Sequence, residues 1–525
     1  MKTQVLYNAD IIDLSDKNRK DSALVLTDDR IVARGDNSLL DQFSRDTVKQ
    51  DMQGASLLPG FTDAHIHLYN YAFGLEMINV ETRTKEEAVE LVKKACEKLK
   101  EGQWLIGIGW QHNEWGGKLP SLRDLDWVSP KNPVYLMGKS LHVGWVNSLA
   151  LKAAGVSGGT PDPLNGRIVR DEHGSATGIL LENAMQVIQN AIPEKTLDQA
   201  RKALMKAFTE LHKFGITSVH DFDNRSAFQA YQTLDIDNEL RLRIVKSIPV
   251  EMLDYAAGLG LRSGFGSKKL KIGAVKLFMD GALGPRTAAM TQPYEGEPDN
   301  LGFLNLDVET LIEIGKKAIR SGLAITAHAI GDMANHVLLD GFKSLNGTAL
   351  DEGLGLFRHR IEHVQLLHPN DLNRLAELGI IASMQPIHAI SDMDFADKYW
   401  AKRARYSYAW RTQLKAGAPL VFGSDAPVES PNPFWGLYAS ITRKKLNQPG
   451  STSWYAEETL NLRESILAYT ETASFAGYNE KNLGKLEPGF LADLIVLDKD
   501  PFELDPVELR DTLPQRVMFG GEWVI

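Results

Sequence analysis

Residues 200–221 read ARKALMKAFTELHKFG followed by ITSVHD. In the first part, apolar residues recur at helical spacing, and Gly215 is the expected left-handed close of that helix. The short apolar run after it ends in His220 and Asp221. The same unit returns three times. IGKKAIRSG (314–322) precedes LAITAHAIGD (323–332), DLNRLAELG (371–379) precedes IIASMQP (380–386), and a run ending at Gly417 precedes PLVFGSDAP (419–427). Buried strands alternating with helices predict a parallel sheet covered by helices.

Working outward, eight strands are expected: around Gly60–His67, Ile216–Asp221, Leu240–Pro249, Ile272–Gly281, Leu323–His328, Arg358–Gln365, Ile380–Pro386 and Leu420–Asp425. Periodicity alone also allows a doubly wound sheet. Polar residues end many different strands, which suits convergence on one mouth, so the expected fold is α/β, a (β/α)₈ TIM barrel over residues 59–485. Residues 82–199 are too long for a plain βα connection. They contain GQWLIGIGWQHNEWGG (102–117) and LMGKSLHVGWVNSLAL (136–151), and are read as an inserted α/β subdomain. Both ends are β-like. VLYNADIIDL (5–14) and SALVLTDDRIVARG (22–35) match GFLADLIVLDKD (489–500) and QRVMFGGEWVI (515–525) in style, with Gly520-Gly521 as a hairpin turn. Residues 1–58 and 486–525 are therefore expected to form one small sheet domain from both termini.

The 525 residues are 43% hydrophobic and 24% charged, as in a globular protein, and the net charge of −10 argues against nucleic acid as a partner. The one cysteine, Cys96, permits no disulfide within the chain and fits a reducing cytosol, so a cytoplasmic location is expected. It lies in the amphipathic run EEAVELVKKACEKLK (86–100) and reads as a small apolar helix residue. No stretch of eighteen apolar residues exists, so no membrane span is expected, and the opening residues read as a strand rather than a signal peptide.

His65 and His67 end the first strand in PGFTDAHIHL (59–68). Two residues apart on a strand, they face the same way and can reach one ion. Asp63 beside them could orient a ring. His328, His363 and Asp425 each sit where a later strand finishes. Four imidazoles and a carboxylate meeting in one place are poor core packing but good coordination for a divalent cation. Such an ion lowers the pKa of water to ~7, and Asp425 could accept the proton. Lys276, in the fourth strand, has two readings: a neutral amine that carries a carbamate and bridges two ions, or an outward lysine in an ion pair.

PGFTDAHIH (59–67), VKLFMDGALGPRTA (275–288), AHAIGD (327–332), RIEHVQ (360–365), GSDAP (423–427) and LGKLEPGFLADLIVLDKDP (483–501) together resemble the amidohydrolase superfamily. They are similar in particular to amidohydrolase family 3, the branch with the N-substituted formamide deformylases. The resemblance extends to GWQHNEW (109–115), LHVGWVNSLAL (141–151) and SVHD (218–221). It implies a composite β-sandwich plus barrel, with a centre of one or two divalent ions, zinc being the leading expectation. By position it implies His65, His67, His328, His363 and Asp425 as ligands, with Lys276 where other members carry a carboxylated lysine.

The function expected is hydrolysis of a non-peptide C–N bond, amide or formamide, in a small molecule. Asp425 would shuttle the proton, and His328 or a neighbouring donor would steady the oxyanion. His142, Asn147, Arg286 and Trp110 are candidate substrate contacts, each with a packing or ion-pair alternative. Asp280 and Gly281 would shape the loop after the fourth strand. His220, Asp221 and His336 are not expected to be ligands, and His112, His173, His212, His359, His368 and His388 receive no role. Two rivals are a mononuclear deaminase, which needs an acid near the fifth strand where only Asp332 is offered, and a non-enzymatic barrel scaffold. A homodimer is left open.

Overall fold

A computed structural model describes residues 2–525 apart from 17, 45, 46, 113, 114, 140–142 and 165. It falls into two compact units, Met1–Tyr71 with Leu204–Ile525, and Ala72–Ala203.

The larger unit is built on eight parallel strands in sequential order: β1 (Phe61–Ile66), β2 (Ile216–Asp221), β3 (Arg243–Pro249), β4 (Leu270–Phe278), β5 (Ile325–Ala329), β6 (Arg360–His363), β7 (Ile381–Met384) and β8 (Leu420–Phe422). All eight expected strands are present, and β1, β2, β6, β7 and β8 are buried along their whole length, as strands enclosed on both faces must be. The four glycines read as helix ends, Gly215, Gly322, Gly379 and Gly417, all have positive φ. β1 and β8 meet at their carboxyl ends, where Asp425 N–H donates to His65 O at 2.7 Å and His67 N–H to Ala426 O at 2.9 Å. The approach is close enough that a Cβ on Gly423 would lie 2.4 Å from His65 N, so only glycine fits there.

The same unit carries two small sheets. One orders Arg30–Gly35, Ala23–Thr27, Thr3–Tyr7 and Val48–Asp51; the other orders Asp10–Ile11, Ser56–Pro59, Leu494–Leu497, Arg516–Phe519 and Glu522–Trp523. Residues from both ends of the chain pair directly, Leu57 opposite Val496 in antiparallel register. Leu6, Leu24, Ile31, Leu57, Leu494, Val496 and Met518 fill the core of this composite sandwich, each burial favouring folding by roughly 1.5–3 kcal/mol. Gly520 and Gly521 make the terminal hairpin turn, both at positive φ.

The smaller unit has a six-stranded mixed sheet in the order Gly166–Arg170, Ala176–Glu182, Val143–Val146, Val134–Gly138, Leu105–Trp110 and Ile78–Asn79. Among the described residues no helix is long and apolar enough to cross a membrane.

Candidate metal centre

β1 delivers His65 and His67. His65 is buried, and its Nδ1 donates to Glu362 Oε2 at 2.7 Å. Glu362, fully buried on β6, is itself held by Arg360, whose Nε lies 2.9 Å away, and by the Thr326 hydroxyl. His67 Nδ1 lies 3.2 Å from Asp223 Oδ1, and the other Asp223 oxygen accepts the N–H groups of Tyr69 and Asn70. With Nδ1 engaged on each ring, Nε2 is the free atom. Both Nε2 atoms lie 3.5 Å from Asp425 Oδ1. Asp425 follows β8 at a φ of 61°, and His363 ends β6 at 75°. Such left-handed backbone at non-glycine residues is costly and clusters at functional sites.

His363 repeats the pattern: Nδ1 donates to Gln385 Oε1 at 2.8 Å, leaving Nε2 free. His388, in the first turn of the helix Pro386–Trp400 after β7, places Nε2 3.7 Å from Asp425 Oδ2. That nitrogen is buried and has no hydrogen-bond partner among the described residues. Two sets result. The ligand atoms of His65, His67 and Asp425 lie within 4.8 Å of one another, and so do those of His363, His388 and Asp425.

The electrostatics favour lone pairs. Burial holds His65 at about 4, against the opposing pull of Asp425 and Glu362, and holds His328 at about 4, with Lys276 adding to the effect. Burial, with His328, His65 and Lys276 nearby, pushes His363 well below the usual imidazole value. Neutral imidazole is the form that binds a cation. His67 differs: burial lowers it, but the Asp223 and Asp425 carboxylates outweigh that and raise it. An orphaned buried nitrogen, neutral imidazoles with their far nitrogens anchored, and one shared carboxylate together fit a borderline-soft divalent cation.

Several expectations need revision. His328 packs against His363 with ring centroids 4.6 Å apart but belongs to neither set. Its Nε2–H donates to Gly281 O at 2.8 Å, so Nδ1 is an acceptor. Among the described residues Asp63 accepts from the N–H groups of His65 and Ser424 and from the Ser424 hydroxyl, stitching β1 to the loop after β8. Lys276 Nζ sits against the faces of Phe222 and Phe278, 4.6 and 4.8 Å from their centroids, and burial brings its amine down to about 8. Arg286 is paired with Glu297 at 2.5 Å and rests on the Tyr399 ring, so its charge is already matched.

Two other candidate substrate contacts are spent inside the smaller unit. Trp110 is in its core, Nε1 donating to Leu136 O at 3.0 Å. Asn147 is fully buried; its Oδ1 caps the helix Ser148–Ala153 and its amide donates to Asn132 O. His142 lies outside the described residues. Asp280 does shape its loop, accepting from the N–H groups of Ala289, Ile330 and Gly331. His220 accepts from Arg360, and His336 pairs with Asp371.

Sequence reasoning missed His388 because it looked for ligands at strand ends, and this residue lies in the helical turn beyond one. It also missed Glu362, since strict alternation turns Glu362 and His363 to opposite sides. The left-handed φ at His363 breaks that alternation.

A family model described as amidohydrolase family matches residues 50–525. Protein LONG AFTER FAR-RED 3 of Arabidopsis thaliana is 34% identical over 92% of this chain and 84% of its own. N-substituted formamide deformylase of Arthrobacter pascens is 24% identical over 99% of this chain and 98% of its own. The crystal structure of an uncharacterized metal-dependent hydrolase from Pyrococcus horikoshii OT3 superposes with a TM-score of 0.82 at 28% identity, covering 96% of this chain and 99% of that one.

Proposed function

The chain belongs to the amidohydrolase family and is a metal-dependent hydrolase; from that premise we propose that it cleaves a non-peptide C–N bond, amide or formamide, in a small molecule. The observation that carries the reading is Asp425 at the mouth of the barrel, whose Oδ1 faces His65 and His67 and whose Oδ2 faces His388, with His363 grouped beside them. His65, His67, His363, His388 and Asp425 are the residues that would hold a divalent cation. When bound, the cation supplies Lewis acidity, which brings the pKa of a water to ~7 and polarises a carbonyl.

The chain's own groups do the rest. Glu362, Asp223 and Gln385 fix the rotation of His65, His67 and His363, so each presents Nε2. A carboxylate offers about four lone-pair positions, so Asp425 retains acceptor capacity while facing the imidazoles. It takes the proton of the attacking water and returns it to the leaving nitrogen. His328 Nδ1, an acceptor beside His363, is a further group able to hold a ligand or a proton. We read Lys276 as an unmodified amine, because two aromatic faces accommodate an ammonium directly. The likeness to the N-substituted formamide deformylase makes N-formyl amines the first substrates to try.

A deaminase is less well supported. The Asp332 carboxylate it would use accepts from Thr291 N–H and Oγ1, at 2.8 and 2.5 Å, and is occupied. The deciding experiment is a hydrolysis screen of N-formyl, N-acyl and cyclic amides with metal-replete protein. Amine release abolished by chelation supports the reading. Ammonia release from heterocycles with no amide cleavage would replace it with the deaminase.

A further inference from the structure

We propose that a second site, apart from the candidate metal centre, takes a small amphipathic carboxylate: an apolar body the size of one aromatic ring, carrying a single anionic group. The juxtaposition that carries it is an apolar cavity of ≈ 170 Å³ with the unpaired guanidinium of Arg225 at its edge.

The cavity lies in the larger unit, between the helices Arg225–Ile236 and Leu253–Gly258 and against β3 and β4. Phe228, Ile248, Pro249, Met252, Leu261 and Ile272 supply most of its wall. None of His65, His67, His328, His363, His388 and Asp425 lines it. Two polar side chains that reach the wall are already engaged. Lys246 Nζ donates to Ser247 O at 2.8 Å and lies 3.2 Å from Asp221 Oδ2, and Asn224 Oδ1 accepts the N–H of Ala227 at 3.2 Å. The cavity therefore offers an occupant carbon surface. Its volume sets the size of that occupant. An apolar cavity of about 150 Å³ stays dry and takes up benzene, since water inside it would forgo hydrogen bonds. A space of ≈ 170 Å³ holds one such ring, or a chain of similar bulk.

The edge sets the charge. Arg225 is exposed there and makes no hydrogen bond or ion pair among the described residues. A planar guanidinium binds a carboxylate through two parallel hydrogen bonds. Tyr255 and Leu259 also line the opening, 69% and 78% exposed. An acid with its ring inside and its carboxylate on Arg225 would satisfy the free charge and shield these two side chains together. The site needs no metal, and it stands or falls separately from the hydrolase reading.

The test uses metal-replete protein titrated with para-fluorophenylacetate, and with para-fluorobenzyl alcohol as the uncharged counterpart, followed by fluorine NMR. Ala256 lines the cavity, so Ala256→Phe fills it, while Arg225→Gln removes the charge at the edge. Circular dichroism verifies folding. Saturable one-to-one binding of the acid by the wild type is expected, lost in Ala256→Phe and weakened about tenfold or more in Arg225→Gln. The alcohol should bind more weakly than the acid. No saturable binding by the wild type overturns the proposal. So does binding that both folded variants retain, which would place the acid elsewhere. Equal affinity for acid and alcohol, or unchanged affinity in Arg225→Gln, overturns the anionic class. Wild-type protein that binds no acid and sediments as a dimer that Ala256→Phe dissociates would make a second copy the occupant, and overturns the proposal too. Should Ala256→Phe not fold, wild-type crystals soaked with para-bromophenylacetate decide: an anomalous bromine peak between Phe228 and Met252 upholds the site, and a peak anywhere else ends it.

Discussion

The main-chain N–H of Asp425 donates to the carbonyl of His65 at 2.7 Å, while the side chains of the same two residues approach within 3.5 Å. The seam that closes the barrel and the candidate metal centre are thus built from the same residues. His67 adds the second seam bond, to Ala426 O, and Asp63 ties the strand to Ser424 from below. A cation gripping His65, His67 and Asp425 would bind only where β1 and β8 are in register.

Metal removal should therefore lower thermal stability as well as activity. A ligand present at about 100 times its Kd stabilises the folded state by about 2.7 kcal/mol. Calorimetry of replete and chelator-stripped protein should show the transition several degrees lower after stripping, with recovery on adding Zn²⁺. Identical transitions would mean that the centre and the seam are not coupled.

Gly423→Ala tests the seam from the backbone side. The added methyl would meet His65 N at 2.4 Å and Asp63 Oδ1 at 2.8 Å, neither of which can yield without moving β1. Overpacking of this kind costs about 1–3 kcal/mol. We expect a lower denaturation midpoint and weaker zinc retention together. A variant that loses stability yet retains zinc at wild-type affinity would show that the ligand positions tolerate a displaced seam.

The barrel was legible because its information is local and repeated: helix, capping glycine, apolar run, polar end. Such units alone leave a doubly wound sheet open, and it is the polar residues ending many different strands that point to the barrel's sequential order. His65, His67, His363 and Asp425 were legible for the same reason. The anchors were not. Asp223, Glu362 and Gln385 act on rings brought near only by the fold, and nothing in their neighbourhoods along the chain marks them. His388 lies one turn into a helix, where a histidine ordinarily signals nothing. Arg286 and Trp110 looked chemical, but Glu297 pairs with the one and neighbouring strands enclose the other. Val48–Asp51 was missed as a strand because a polar edge strand lacks the apolar alternation that marks the rest.

Glu362→Gln should weaken metal binding without unfolding the barrel. The amide keeps the shape and can still accept from His65 Nδ1, but loses the charge that Arg360 and His65 face. Partners that orient a metal-binding histidine typically contribute 10–100-fold in affinity. Competition against a chromogenic chelator reads this directly. Unchanged affinity in folded Glu362→Gln would assign the residue to pairing Arg360 alone.

Trp110 makes the opposite kind of prediction. Its ring packs against Trp115 and Trp145 with centroids 6.0 and 5.9 Å away, and it is 1% exposed. Trp110→Ala should cost about 3–5 kcal/mol within the Ala72–Ala203 unit, and Trp110→Phe much less. Hydrogen exchange over Leu105–Trp110 and Val134–Gly138 measures the loss. Full protection in Trp110→Ala would return the residue to the list of candidate substrate contacts.

The composite sandwich has its own pH dependence, through Asp13. Burial raises this carboxyl, but the Ser15 hydroxyl, the N–H groups of Asp16 and Ser15, and Arg34 outweigh burial and hold it at about 2, below the ordinary 3.8. Arg34 lies 3.0 Å from it with its own side chain 2% exposed. A depressed carboxyl stabilises the fold where it is ionised in both folded and unfolded chains. The contribution is therefore complete above the unfolded value of 3.8 and disappears as pH falls through about 2. Asp13→Asn should be less stable than wild type by about 1–2 kcal/mol at neutral pH, with the gap closing over that acid window. Urea denaturation at neutral pH, at 3 and near 2 follows it, the pH values being set by roughly these limits. A gap that stays constant across the series would place the loss in packing or hydrogen-bond geometry, not in the Asp13 charge.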